Sequence, residues 1–248
     1  MYDISVITGI GSLERYGKFV KRYFENVVEQ ETFYNTEHVI VYSEYGSELD
    51  IFSTYENFKL IKENERLGVY NAWNIGIKNS TGDYITNWNV DDLRHPSNNR
   101  IKYDLLKQNP QYSVAYNYYV ATNDESENFY TIDENNKSIL LFPDNFERYA
   151  MVACLCGPDP MWKKEIHSNI GYFDYENYPT VGDWEMWIRM AKNGIKFKLV
   201  PEILCIYLDH QETISKTNND IVHQEIFKLR NQYQNFKTEH YTIINYKL

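Results

Sequence analysis

Apolar residues fall along this chain in two rhythms, and the switch between them predicts its elements. Ile4 to Thr8 is a run of the buried-strand kind, closed by Gly9-Ile10-Gly11-Ser12 as a loop. Phe19, Val20, Tyr23, Phe24, Val27 and Val28 then recur at three- and four-residue steps, with Lys18, Lys21, Arg22 and Glu25 on the other face, which predicts a helix. His38 to Tyr42 and Phe58 to Lys62 read as strands, with Ser43 to Glu48 turning the chain after the first. Val69, Ala72, Trp73 and Ile77 return to helical spacing, Ser80-Thr81-Gly82-Asp83 breaks it, and Tyr84 to Trp88 is extended. Strands alternating with helices predict an α/β fold: a Rossmann-like, largely parallel central sheet with right-handed crossovers and helices on both faces.

Past Pro96 the pattern predicts a helix over about 97–107 and strands over Ser113–Ala121 and Val152–Cys156. The polar stretch Asn123–Asn136 between those strands reads as a hairpin or mobile loop. Gly157-Pro158-Asp159-Pro160-Met161-Trp162 is a rigid turn whose Met161 and Trp162 either join the core or floor a binding site. Trp184, Trp187, Ile188 and Ala191 form a helical apolar face that Gly194 is placed to stop. Lys196–Pro201 and Ile203–Leu208 read as two closing strands. Last, Val222, Ile226, Leu229, Tyr233 and Phe236 make an amphipathic helix behind Asn218-Asn219-Asp220, which either docks on the domain or forms a homodimer contact. The expected organisation is a single domain over 1–215, with halves 1–110 and 111–215, and a C-terminal helical extension over 216–248.

Composition narrows the partners. With 248 residues and 43% hydrophobic positions, the chain is long enough for one large domain with a packed interior. A net charge of −10 argues against nucleic acid or an anionic bilayer as the main partner, so an anionic ligand needs a local cation, either a metal or an arginine such as Arg66. Three cysteines, Cys154, Cys156 and Cys205, are odd in number and lack zinc-ligand spacing, which points to a reducing compartment and to core roles. The N-terminus enters a strand directly and no apolar run reaches membrane-spanning length. A cytoplasmic location, at most peripheral to a membrane, is expected, and the sequons at Asn79 and Asn136 are read as chance matches.

The candidate chemistry begins at Asp91 and Asp92, two carboxylates just beyond a strand's carboxyl end, where α/β sheets place their ligands. Crowded hard oxygens favour Mg²⁺ or Mn²⁺, which takes one or two carboxylates and completes its shell with water and phosphate oxygens. The alternative is an Asp pair that closes a turn before Pro96. Asp183 opens the Trp184–Ala191 helix, as an N-cap or as a general base. His210 ends a strand, as a surface residue or a metal ligand. Two nucleotide signatures fail. Between Gly11 and Gly17-Lys18 the glycines are one residue too far apart and Phe19 replaces the metal-binding hydroxyl, while Glu14 stands at the third glycine of a dinucleotide fingerprint.

Four blocks together resemble the family 2 nucleotide-sugar glycosyltransferases, inverting enzymes of GT-A fold, over roughly Ser5 to Ser215. They are Ser5-Val6-Ile7 with the helix that ends near Gln30, Gly68 to Asp92, Gly171-Tyr172-Phe173-Asp174, and Gly182-Asp183-Trp184 through Arg189. The resemblance implies transfer of a hexose or N-acetylhexosamine from a nucleotide diphosphate sugar, a UDP-sugar first, to a hydroxyl of a glycan or lipid-linked glycan, as in polysaccharide biosynthesis. It makes 1–110 the nucleotide-sugar half and 111–215 the acceptor half. Asp92 would bind Mn²⁺ or Mg²⁺, with Asp91 on metal or ribose, His210 near the diphosphate, and Asp183 as base. Thr8, Gly9, Glu44, Arg66 and Asn71 match donor-side positions, and Met161, Trp162 and Trp184 stand as weak acceptor contacts. The departures are Ser43-Glu44-Tyr45 where the family shows two aspartates, a first loop without the usual proline and aromatic, and Asn71 where an acid is common. Two other classes remain: a noncatalytic sugar-nucleotide binder, and a nucleotidyltransferase, whose Gly-rich basic signature after the first strand is absent.

Overall fold

The structure is a computed structural model that describes residues 2–132, 138–211, 213–236 and 245–247. Its first layer follows from the apolar runs. Strand β1 (Ile4–Ile10) is buried along almost its whole length and pairs in parallel with β2 (Thr36–Tyr42) on one side and β4 (Tyr84–Asn87) on the other; β3 (Phe58–Lys62) extends the sheet beyond β2. A strand buried on both faces is mostly apolar, and its alternate residues feed two cores. Val6, Ile10 and Ile40 pack into the layer under helix α1 (Leu13–Val28), while Ile7, Val39 and Val41 pack under α2 (Val69–Asn79). Helix α2 lies close on the sheet because residue 76 is glycine: a Cβ there would stand 2.3 Å from the Ile7 Cγ2.

The other half adds strands of both senses. β8 (Met161–Lys163) is antiparallel to β4 and to β6 (Val114–Thr122), so β6 runs with β1 through β4, as does its parallel neighbour β9 (Phe197–Leu208). Two-residue β5 (Leu93–Arg94) pairs with β9, and β7 (Ser138–Leu140) pairs with β6 and β10 (Asn245–Lys247). Helix α3 (Asn98–Gln108) covers the α1 face, while α6 (Gly182–Lys192) and α8 (Asn219–Gln232) contribute to the α2 face. The result is a mixed α/β molecule with mostly parallel central strands, as the sequence pattern predicts.

Two expected strands are corrected. Residues 152–156 form turns whose Leu155 and Cys156 are buried side chains of the core, and pairing begins only at Met161 because Pro158 and Pro160 offer no N–H to a ladder. The two closing strands are one, β9, whose register on β6 jumps from Val200 to Ile203 across Pro201 and Glu202. β6 and β7, which flank the stretch expected as a hairpin or mobile loop, pair antiparallel, and residues 133–136 of that stretch, with the sequon residue Asn136, lie outside the described residues.

The C-terminal stripe that suggested a homodimer is spent on the domain itself: Leu229 and Tyr233 are buried in the α2-side core, with Val222, Ile226 and Phe236 packed against it. Helix α8 is therefore part of the domain's wall. Among the described residues no helix is long and apolar enough to cross a membrane.

Candidate active site

The carboxyl ends of β1, β4 and β9 meet along one edge of the sheet, and a cleft of about 670 Å³ opens there. Gly9, Gly11, Arg15 and Tyr16 line it from β1 and the start of α1, Arg66 to Tyr70 from the entry to α2, and Asn87, Asn89 and Asp91 from the end of β4. Tyr119, Tyr207, Gly157, Pro158 and Pro160 line it from the other half, Asp183 from the first turn of α6, and Thr217, Asn218 and Ile221 from the C-terminal segment. Asp91 and Asp183, 92 positions apart in the chain's numbering, thus share one cavity.

The two adjacent aspartates have different surroundings. Asp91 is the one that lines the cleft, and its Oδ2 lies 2.9 Å from His210 Nε2, brought in by the end of β9. The imidazole is wedged against Tyr16 and Phe19 of α1, with ring centroids 6.3 and 5.8 Å away. Asp92 departs from its expected role. It is 3% exposed, does not line the cleft, and its Oδ1 accepts the Leu208 N–H (3.0 Å) while its Oδ2 accepts from Asn89 Nδ2 (3.1 Å). Burial, and then the neighbouring Asp91 charge, push its carboxyl well above the usual range. Asp92 therefore ties the loop after β4 to β9, and presents Asp91 by doing so.

A divalent metal is tested here by its donor set. Among the described residues no three His, Cys, Asp or Glu side chains converge. Asp91 lines the cleft, and His210, 2.9 Å behind it and not itself among the lining residues, adds one imidazole to that carboxylate. That set fits Mn²⁺ or Mg²⁺, which keeps waters and borrows phosphate oxygens from its substrate instead of requiring a full protein cage.

Asp183 faces the same cavity from the first turn of α6. Its Oδ1 accepts from Tyr70 OH (2.8 Å) and the Trp184 N–H (2.8 Å), and its Oδ2 from Cys154 Sγ at 3.5 Å. Burial raises its pKa, with Tyr70, the Trp184 amide and Cys154 pulling the other way. The segment before α6 is fixed by Glu225 of α8, whose Oε2 accepts from Thr180 N (2.9 Å), Thr180 Oγ1 (2.8 Å) and Val181 N (3.0 Å).

Beneath the floor lies a charged cluster that sequence reading did not find. Arg94 and Lys102 are 0% exposed and Asp159 is 2% exposed, the last flanked by the cleft-lining Pro158 and Pro160. Lys102 Nζ donates to Asp159 Oδ2 (2.8 Å), Asn98 Nδ2 to the same oxygen (2.6 Å), and Arg94 Nε stands 3.9 Å from it. Burial pushes Lys102 down to about 8 against the pull of Asp159, while burial alone would raise Asp159 and the two cations hold it below its ordinary value. Arg94 also lies over the Trp88 ring, 4.5 Å from its centroid.

Of the other expected residues, Gly9 and Arg66 line the cleft. Thr8 does not: it is fully buried, sharing a 2.7 Å hydrogen bond with Tyr23 OH and donating to the Trp88 carbonyl (2.8 Å), so it braces the loop. Glu44 is spent at the start of α1, where its Oε2 accepts the Leu13 N–H (3.0 Å), and neither it nor Asn71 is among the lining residues. Met161 and Trp162 are fully buried core, and Trp184 is buried with its indole N–H donated to the Ala150 carbonyl (2.7 Å). Trp187 reaches the cleft instead. Arg15, Tyr16, Tyr70, Asn89, Tyr119 and Tyr207 line it without having been singled out. Only Arg15 carried a usable signal, an exposed cation in the first turn after a Gly loop.

An α/β sheet with Asp91 and the distant Asp183 opening on one edge cleft is the arrangement expected of a sugar-transferring enzyme. Residues 13–171, more than half the chain, match the family model for glycosyl transferase family 2, and the chain belongs to that family. Among solved structures, S. aureus TarS 1-349 in complex with UDP-GlcNAc is similar at a TM-score of 0.71 and 13% identity, over 96% of this chain and 68% of that one. TarS 1-349 alone gives 0.66 and 14%, over 94% and 72%. The mannosyltransferase PcManGT from Pyrobaculum calidifontis, in complex with GDP-Man and Mn²⁺, gives 0.67 and 16%, over 94% and 64%. At these identities the likeness is one of fold. No curated protein matches the sequence.

Proposed function

We propose that this glycosyltransferase moves a hexose or N-acetylhexosamine from a nucleotide diphosphate sugar, a UDP-sugar first, to a hydroxyl of a glycan or lipid-linked glycan, with inversion. The observation that carries the reading is the shared cleft, with Asp91 on one wall and Asp183 on another. Asp183 accepts the proton of the acceptor hydroxyl. The acceptor oxygen bonds to the anomeric carbon from the face opposite the diphosphate, and the carbon–oxygen bond to phosphate breaks with its electron pair on the leaving group. Tyr70 OH and the Trp184 amide occupy Oδ1, so Oδ2, with only the weak Cys154 thiol near it, is the oxygen that takes the proton. Asp91 and His210 would hold Mn²⁺ or Mg²⁺, which when bound neutralises charge developing on the departing diphosphate. Arg15 and Arg66, both exposed at the cleft and without ion-pair partners among the described residues, give an anionic donor a local welcome on a chain of net charge −10. The donor class is supported by neighbours solved with UDP-GlcNAc and GDP-Man, and the metal by the Mn²⁺ of the latter.

The test is incubation with Mn²⁺ and a panel of UDP- and GDP-sugars, with and without glycan acceptors, following nucleoside diphosphate release and the anomeric configuration of the product by NMR. Inverted product that disappears in Asp183→Asn is expected. Binding of the sugar nucleotides without turnover supports the noncatalytic alternative, and pyrophosphate release from a nucleoside triphosphate supports the nucleotidyltransferase.

A further inference from the structure

The reading of Asp183 as the base leaves open what keeps its reactive oxygen aimed, and the geometry points to Tyr70. We propose that Tyr70 is a positioning residue for the sugar transfer: its hydroxyl fixes Asp183 by holding Oδ1, which leaves Oδ2 turned to the acceptor. This inference rests on the proposed function of Asp183.

Three features of the fold converge on that contact. Tyr70 sits in the first turn of α2, its ring stacked on Phe173 (5.7 Å between centroids, planes 18° apart) and set edge-on to Trp73 (5.3 Å), so the ring has little freedom. From there its hydroxyl spans the cleft to a different part of the chain, 2.8 Å from Asp183 Oδ1 and 3.2 Å from the Thr180 carbonyl oxygen. The approach is possible only because residue 182 is glycine: a Cβ there would lie 2.8 Å from Tyr70 Cδ2. Glycine at 182 thus lets the Tyr70 ring lie directly beside Asp183, and the hydroxyl on that ring is what reaches Oδ1. The other titratable groups against Asp183 are Cys154 and Cys156, thiols that burial keeps protonated, and one layer out Glu225 of α8, held by Thr180 and Val181. None of these replaces a hydroxyl donor on Oδ1.

A hydrogen bond to a carboxylate stabilises its charged form, so removing the hydroxyl raises the pKa of Asp183. The direct measurement is a ¹³C-carboxylate NMR titration of the full chain, with the Asp183 resonance identified by its loss in Asp183→Asn. Tyr70→Phe, which keeps the ring and its stack, should raise the Asp183 pKa by roughly one pH unit. Gly182→Ala, which pushes the ring aside, should move it in the same direction. In the sugar-transfer assay the acidic limb of the turnover profile should follow, with turnover reduced about tenfold and the donor KM unchanged. An unmoved Asp183 titration in both variants overturns the proposal, as does a moved titration with an unmoved acidic limb. Failure of the base reading is a separate result, since it appears as transfer that survives in Asp183→Asn whatever Tyr70→Phe does.

Discussion

His38 gives the sharpest stability prediction. It sits mid-strand in β2, 0% exposed, between the rings of Phe33 and Phe58 with centroids 5.6 and 5.0 Å away, and neither ring nitrogen has a hydrogen-bond partner. Burial, with a smaller push from Arg94, lowers its pKa from 6.5 to about 3. The folded state therefore refuses a proton that the unfolded chain accepts below 6.5. The contribution is whole above pH 6.5 and is lost progressively as pH falls toward 3. At pH 5 the loss is about 2 kcal/mol from this one group, and for a chain of this size that is a Tm decrease of roughly 4–8 °C. His38→Leu removes the titration and two unpaired polar atoms while keeping an apolar filling. Scanning calorimetry of both proteins at pH 7.5 and pH 5 separates this group from the carboxylates, which titrate in both. The wild type should lose several degrees more than His38→Leu between the two pH values. Equal losses would show that His38 is reached by water or paired in solution, and the burial argument would fall.

The site yields three further expectations. Asp91→Asn should weaken Mn²⁺ binding, read by electron paramagnetic resonance, about tenfold or more with Tm unchanged, whereas Asp92→Ala should lower Tm through the unpaired Leu208 N–H, worth about 1–3 kcal/mol; the reverse pattern would return the metal to Asp92. Lys102→Met leaves Asp159 buried with only the more distant Arg94 and should cost about 3 kcal/mol, or roughly 6–12 °C in Tm. A change under 3 °C would mean the cluster is hydrated. Glu225→Ala should raise hydrogen exchange at Thr180 and Val181 by about ten- to a hundredfold, since each amide loses its acceptor; unchanged exchange would show that α8 does not clamp the start of α6.

The frame of the molecule was legible because its elements carry their periods openly. Val39, Ile40 and Val41 announce a strand buried on both faces, and the α1 stripe of Phe19, Val20, Tyr23 and Val27 can only be a one-faced helix. The span from Gly68 to Asp92 came through as helix, turn and strand for the same reason. Sequence could bring two aspartates to a strand end, but adjacent residues point different ways, and which one meets the cleft depends on Leu208 and Asn89, partners 116 and three residues away. Glu44 could not be read for a like reason: the N–H its carboxylate accepts is that of Leu13, 31 residues away. Lys102 and Arg94 gave no signal in the sequence, because the carboxylate that pairs with them is distant along the chain. Their partner Asp159 is 57 residues beyond Lys102.

That buried cluster also accounts for an apparent contradiction in charge. An acidic chain gathers Asp91 and Asp92 at the place where an anionic donor is to bind, which on Coulomb's law alone should repel it. The cations that answer them are concealed. Arg94 is drawn to both Asp159 and Asp92, and Arg22, half-buried in α1, feels Asp92, Glu125 and Asp91 while donating to the Glu127 carbonyl (3.0 Å). Neither guanidinium lines the cleft, so both lie near the aspartates without occupying it. The exposed Arg15 and Arg66 are the arginines that line the cleft. On the proposal that Asp91 and His210 hold a metal, the affinity for nucleotide should depend steeply on Mn²⁺ and little on the chain's overall charge.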